Sequence, residues 1–310
     1  MKNILKYLGL GLGGLLMLAL IMVLFVQFSS PPTFEEVPLP ELAVATDSAS
    51  VQAGKRLVQM NCAGCHLDPE SGTLAGRWFG QNPLGEAHTA NITRDAATGI
   101  AAYTDAELYR LLRTGVKRNH ELALPFMPKL VSMSDEEVED IIAFLRSDDP
   151  LLQPVEAERP IELSLLGKAL VKFAWKPQPY QAARVKPPRG NAVAYGEYLV
   201  NSQLLCFACH SATHEVNLAA PPQTQGYLAG GTEFVEPGQE PVVSPSLRMP
   251  ADGLGSWTEA QFITAMKEGV RPDGTSFLMP MEAYDELDTI EIRAIWAYLG
   301  SLGPAQIAGP

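Results

Sequence analysis

The sequence predicts an all-α protein: an N-terminal transmembrane helix followed by two tandem, small helical domains. Three observations predict it. An apolar run sits at the N-terminus, amphipathic stretches with helix-capping signals follow it, and the capped pattern occurs twice within 310 residues. On this reading residues 1–29 are the anchor, 30–49 a Pro-rich linker, 50–149 the first domain, 150–190 a Pro-rich connector, 191–304 the second domain and 305–310 a tail.

Lys2 and Lys6 precede the apolar run Leu8–Phe28, which is interrupted only by glycines and Gln27. Its 21 residues reach about 31 Å at a rise of ~1.5 Å, enough for a hydrocarbon core of roughly 30 Å. A cleaved signal peptide would carry a shorter apolar region and an A-x-A site, so an uncleaved anchor is favoured. Both lysines lie before the span, which puts Met1 on the cytoplasmic side and everything after Ser29 outside.

Beyond the acidic, Pro-rich spacer, Ser50–Gln59 has the apolar spacing of a helix. Thr104 with Glu107 and Ser134 with Glu137 read as capping boxes opening two further helices, and Val138, Ile141, Ile142 and Leu145 form an apolar stripe on the last. The connector carries seven prolines between 150 and 188, and inside it Ile161–Trp175 reads as a short amphipathic helix lying across a folded domain or on the membrane, the former favoured because only Lys168, Lys172 and Lys176 supply basic charge. The second copy repeats the order: Tyr195–Gln203, then Thr258 with Gln261, then Asp288 with Glu291 and the stripe Ile292, Ile295, Trp296, Leu299. An offset of 154 carries Leu74-Ala75-Gly76 onto Leu228-Ala229-Gly230, Gly115-Val116 onto Gly269-Val270, and Met127 onto Met281.

All four cysteines fall in two Cys-x-x-Cys-His motifs, Cys62–His66 and Cys206–His210. The pattern is that of covalent c-type haem attachment: two thiols add to the haem vinyl groups and the adjacent imidazole takes the iron. A zinc site would need a fourth converging ligand, and a redox dithiol has no use for the trailing histidine. Two covalent haems are therefore expected, with Cys62, Cys65, Cys206 and Cys209 attaching them and His66 and His210 as proximal iron ligands. The motifs are offset by 144, so an insertion of ten residues lies within 211–227. Haem is attached outside the cytoplasm, which places both domains in the periplasm of a bacterium, tethered to its inner membrane by a single span.

The sixth ligand decides between carrying electrons and doing chemistry at an open iron. Met127 and Met281 stand at equivalent positions, each seven residues before a helix cap, and are the expected thioether ligands. Met279 is the competitor to Met281, because Met279-Pro280 resembles Met127-Pro128 locally. Met133 reads as the apolar residue before a cap and Met249 as core or loop packing. His88, His120 and His214 have no counterpart in the other copy and read as surface polar residues. Arg77, Trp78 and Asn91 are placed by position to reach the propionates of the first haem.

The formal net charge of −12 excludes a nucleic-acid partner and suits docking to a basic patch on a redox protein or membrane complex; it serves solubility equally. Asn91-Ile-Thr-Arg-Asp, Gly196-Glu-Tyr-Leu-Val, Leu228-Ala-Gly-Gly, Gly253-Leu-Gly-Ser-Trp257 and both Met-bearing loops make residues 50–302 resemble the membrane-bound multihaem cytochrome c subunits of periplasmic dehydrogenases and related di-haem cytochromes c. The resemblance implies class I cytochrome c-like helical haem domains with His/Met iron. It also implies a carrier of single electrons from a periplasmic or membrane donor to an acceptor such as an oxidase or a respiratory or photosynthetic complex, without catalysis of its own. Those subunits typically have three motifs and a C-terminal anchor, whereas this chain has two and an N-terminal one, so a tethered di-haem carrier is the closer fit. The rival readings are the dehydrogenase subunit itself, a di-haem peroxidase with one open iron, and a redox or gas sensor.

Overall fold

The computed structural model describes residues 2–35, 37, 39–181, 184–214, 221–235, 240–249 and 253–303. Helix α1 (Lys2–Phe28) opens the chain, and its stretch Lys6–Phe28, with mean hydropathy 2.6, is long and apolar enough to cross a membrane. From Lys6 to Phe25 its side chains are exposed, and Val26 is buried by the rest of the protein.

In the first half, the Asp47 carboxylate accepts from Ala49 N and Ser50 N and so starts α2 (Ser48–Asn61), which runs into the short α3 (Ala63–His66). The hairpin β1 (Trp78–Asn82) and β2 (Gly85–His88) follows, then α4 (Asp105–Thr114) with the expected Thr104/Glu107 capping box, then α5 (Asp135–Arg146). Helices α2 and α5 cross where Gly54 meets the backbone of α5: a Cβ there would lie 1.8 Å from Asp140 O, so only glycine allows the approach. Leu57, Val58, Leu108, Met133, Val138, Ile142 and Phe144 fill the core below the crossing.

The connector departs from the expected helix Ile161–Trp175. Ile161–Leu163 forms β3, which pairs antiparallel with β2 through Gly85↔Leu163, and Ser164 then caps α6 (Leu165–Phe173). The chain is therefore not purely helical: the open edge of the hairpin offers unpaired backbone groups, and the connector satisfies them. Nor does α6 lie on a folded domain alone. Gly167 packs on Leu84, while Phe173 meets Phe25 of α1 with ring centroids 6.5 Å apart and Lys172 Nζ donates to Ser29 O at 2.8 Å.

In the second half, α7 (Ala192–Tyr198) unwinds into a π-turn at Leu199–Gln203 before α8 (Cys206–Cys209). A two-stranded ribbon, β4 (Glu233–Phe234) with β5 (Val242–Val243), precedes α9 (Glu259–Glu268) and α10 (Thr289–Ser301), whose capping boxes Thr258/Gln261 and Asp288/Glu291 both form. Here Gly196 repeats the role of Gly54, its absent Cβ 1.9 Å from Ala294 O of α10. A second core surrounds the crossing, with Tyr195, Leu199, Phe207, Phe262, Ile292, Ile295 and Leu299. The expected tail 305–310, and residues 215–220 of the expected insertion, lie outside the described residues.

The halves meet through a reciprocal exchange. Arg56 and Tyr198 each stand two residues after the crossing glycine of their own half. Arg56 crosses to Glu291 of α10, and Tyr198 crosses to Glu137 of α5. Glu137 and Glu291 occupy the same position in their helices, so the interface has the residue-for-residue reciprocity of a two-fold contact. The exchange corrects one expectation: no Ser134/Glu137 capping box closes. The Ser134 hydroxyl accepts from Glu137 N, but the Tyr198 hydroxyl inserts between the other pair, accepting from Ser134 N at 2.7 Å and donating to Glu137.

Candidate haem sites

At the end of α2, Cys62 O accepts from Cys65 N and His66 N, a tight turn that puts both thiols and the imidazole on one side. His66 Nδ1 lies 2.7 Å from Ala90 O; a carbonyl only accepts, so Nδ1 carries the proton and Nε2 keeps its lone pair for a metal. Burial lowers the affinity of His66 for a proton and pushes the Cys62 thiol up to about 12, with Cys65 also raised. Burial thus favours the neutral imidazole and the uncharged thiols. A cavity of about 500 Å³ opens over this turn, lined by Cys62, Cys65, His66, Met127 and apolar side chains including Leu112 and Phe126. Its size is typical of a cofactor pocket, and the set of two thiols, a metal-ready imidazole and a thioether in an apolar cradle fits a c-type haem.

The loop carrying Met127 is folded by backbone hydrogen bonds that recur in the second half. Ala123 N donates to Gly115 O, Met127 N to Leu124 O and Leu130 N to Leu112 O; their equivalents are Phe277 N to Gly269 O, Met281 N to Leu278 O and Tyr284 N to Met266 O. Met281 therefore stands in the register of Met127. It is half-buried, whereas Met279 is 57 % exposed. One feature of the loop is not repeated. Lys129, nearly fully buried, donates to Ala123 O, Leu124 O and Met127 O at 3.3, 2.7 and 2.7 Å, and its counterpart is Ala283. Burial lowers the Lys129 pKa to about 7. Sequence reasoning passed over this residue; a lone lysine in the apolar run Leu124–Val131 was its only signal.

The second motif has the same first turn. His210 N donates to Cys206 O, and His210 Nδ1 lies 2.9 Å from Pro245 O, again leaving Nε2 for a metal. Burial lowers the pKa of His210 and pushes Cys206 up to about 12. Close by, the fully buried amide of Gln203 has neither its oxygen nor its nitrogen paired. Leu205, Ala208 and Cys209 also line the cavity of the first motif, which brings the two motifs to a shared wall.

Of the remaining residues singled out in the sequence, His88 lies on β2 and lines the first cavity, with Nδ1 3.1 Å from Pro160 O, rather than standing apart on the surface. His120 sits in a turn with φ of 64°, and His214 packs edge-on to Phe234. Met133 is fully buried in the first core and Met249 packs against the second. Arg77 Nη2 donates to Gly64 O inside the motif at 2.6 Å, and Trp78 Nε1 donates to Glu86. Asn91 is buried with its amide nitrogen shared between Thr98 and Val155 O and its oxygen accepting from Thr93, so it knits a loop together and is not directed at a propionate.

Comparisons with known proteins agree with this chemistry. The family Cytochrome c matches residues 51–148. The chain is 31 % identical over 279 residues to the cytochrome c subunit of alcohol dehydrogenase (quinone) from Gluconacetobacter polyoxogenes, covering 83 % of this chain and 57 % of that protein. It is 28 % identical over 280 residues to the gluconate 2-dehydrogenase cytochrome c subunit of Pantoea cypripedii, covering 84 % and 62 %. Against a diheme cytochrome c-type protein of Cereibacter sphaeroides it is 24 % identical over 277 residues, covering 84 % and 88 %. The chain thus spans a little over half the length of the dehydrogenase subunits it matches.

Proposed function

We propose, from the premise that residues 51–148 are a cytochrome c domain and the chain an electron-transport protein, that it is a membrane-anchored cytochrome relaying single electrons between two covalent haems. Cys62 and Cys65 hold the first, with His66 and Met127 on its iron. Cys206 and Cys209 hold the second, with His210 and Met281 on its iron. The observation that carries this reading is the pair of motif histidines, each with Nδ1 committed to a carbonyl, Ala90 O or Pro245 O, and Nε2 left for a metal. When bound, haem iron supplies a one-electron couple, and a thioether ligand raises its potential.

The chain's own residues orient the ligands, exclude water and bring the motifs together. Ala90 and Pro245 fix the ring tautomers, and Leu112 and Phe126 keep water from the first site. Cys65 and Cys209 on one cavity support a short path between the thioether-bearing edges. The acidic surface suits a basic docking patch on a partner. The donor is read as a dehydrogenase or comparable redox protein and the acceptor as a membrane complex, with the folded halves in the periplasm. The dehydrogenase-subunit relatives favour a second form of the same reading, in which the chain is a fixed subunit of such an enzyme.

The test is haem quantification followed by a carbon monoxide difference spectrum and a redox titration on the full chain. Two haems per chain, neither binding the gas and both titrating at positive potential, are expected. One haem that binds carbon monoxide readily would overturn the methionine assignment in that half and turn the reading toward peroxide or gas chemistry.

A further inference from the structure

Helix α6 has two apolar faces. At 100° per residue, Gly167 and Val171 point toward the body of the protein, where Gly167 meets Leu84 and Val171 lines the first cavity. The opposite face carries Leu165, Leu166 and Phe173, exposed by 40, 52 and 56 %. Lys168 and Lys172 flank that face, Lys176 follows just beyond the helix, and no acidic residue lies between 163 and 176, in a chain of net charge −12. The outward face continues onto the span: Phe173 meets Phe25, Lys172 Nζ lies 5.6 Å from the Phe25 ring centroid, and Lys172 also donates to Ser30 O at 2.5 Å. These contacts lie at the C-terminal end of α1, where an exposed apolar helix meets a folded body. Ile161 and Trp78, both about half exposed, extend the apolar surface along the β1–β2–β3 sheet.

We infer that α6 lies in the bilayer interface, its Leu165–Phe173 face among the acyl chains, Lys168 and Lys176 at the lipid phosphates and Lys172 tying it to the end of α1, and seats the first half on the membrane. A short basic helix with an exposed apolar face has the composition of an interfacial segment. Because Pro31, Leu163 and Val171 wall the first cavity on this side, the first motif, not the second, is the one next to the bilayer. This inference rests on the reading of α1 as a retained anchor.

The experiment places a photoreactive p-benzoylphenylalanine at position 166, 16 or 290 of the full, haem-loaded chain in phosphatidylcholine–phosphatidylglycerol nanodiscs and reads lipid adducts by mass spectrometry. Position 16 reports the span itself, and Ile290, exposed on α10, is the distant control. Adducts at 16 and 166 and their loss at 290 are expected. Adducts at 16 with none at 166, or a chain-to-chain cross-link at 166, overturn the inference while leaving the anchor in place: protein then covers the face. Absence of adducts at 16 overturns the anchor and the inference with it.

Discussion

The two halves share the features that the proposed haem sites would use and differ in how they are held. Both have a helix crossing closed by glycine, a motif histidine tied through Nδ1 to a carbonyl, and a methionine loop with the same backbone hydrogen bonds. Only the first pins that loop with a buried lysine, and only the first is flanked by a strand and helix from the connector. The second instead breaks its leading helix with a π-turn just before the motif. Repetition therefore marks the candidate cofactor cradle, and divergence marks how each half is packed: against the connector and the end of α1 for the first, and around a broken leading helix for the second.

The comparison is broken most severely at the glycines. Gly54→Ala and Gly196→Ala each put a methyl within 2 Å of a carbonyl oxygen, Asp140 O or Ala294 O, which forces the helix pair apart. We expect each to cost about 3 kcal/mol or more, since overpacking against backbone has no rotamer escape. Haem per chain should fall to one, the surviving haem lying in the untouched half; tryptic haem-peptide mapping identifies it. Loss of both haems from either variant would mean the halves fold as one unit.

Lys129→Met tests the asymmetry of the loops. It removes the donor to three carbonyls around Met127 and should cost roughly 2–3 kcal/mol through unpaired buried oxygens. Carbon monoxide binding is then expected at the first haem alone, with the second unchanged because Ala283 never supplied a pin. If the variant excludes the gas as the parent does, the lysine stabilises the loop without governing the ligand.

The reciprocal interface gives a smaller effect. Tyr198→Phe strips Ser134 N of its acceptor and Glu137 of one donor, and should lower stability by about 1–2 kcal/mol in thermal unfolding. Arg56→Ala should cost less, because Arg56 is partly exposed and Glu291 keeps Tyr195 and the amide of Asp288. Equal losses would show that the two contacts are equivalent in energy as well as in position.

These same residues mark where the sequence stopped being informative. The boxes at Thr104, Thr258 and Asp288 are local, three-residue signals and could be read directly. The box at Ser134 carries an identical signal and does not close, because Tyr198, remote in sequence, competes for both of its polar groups. The Trp78–His88 hairpin was hidden for a related reason. Its Asn82-Pro83-Leu84-Gly85 turn was a usable signal, but the strand that completes the sheet arrives from Ile161–Leu163. His88 reads as a surface residue for the same reason, since without the hairpin nothing carries it to the cavity. Among the candidate site residues, the motifs were legible because attachment chemistry fixes their spacing, and Met127 because a repeat exposed it.

The mildest contrast is in the first helix of each half. Asp47 caps α2 while Asn191 caps α7, one ionisable and one not. Hydrogen bonds from the backbone of Ser50 and then Ala49 hold the Asp47 carboxyl below its ordinary value. A carboxyl lowered in the folded state binds its proton more readily when unfolded. Its contribution to stability is therefore present in full above the ordinary carboxylate range and disappears as pH falls through the lowered value. Unfolding of the first half should accordingly become easier on acidification in a way that Asn191 cannot impose on the second. Asp47→Asn keeps an acceptor at the cap but removes the proton equilibrium. Hydrogen exchange of the α2 amides, followed from neutral pH to below pH ~4, should show opening that steepens with acid in the parent and flattens in the variant, with α7 alike in both. Parallel curves for α2 in parent and variant would mean that other carboxylates set the acid limit of this half. Asp140 is then not the one, because burial raises it and its charge weakens the fold as pH rises, the opposite sign.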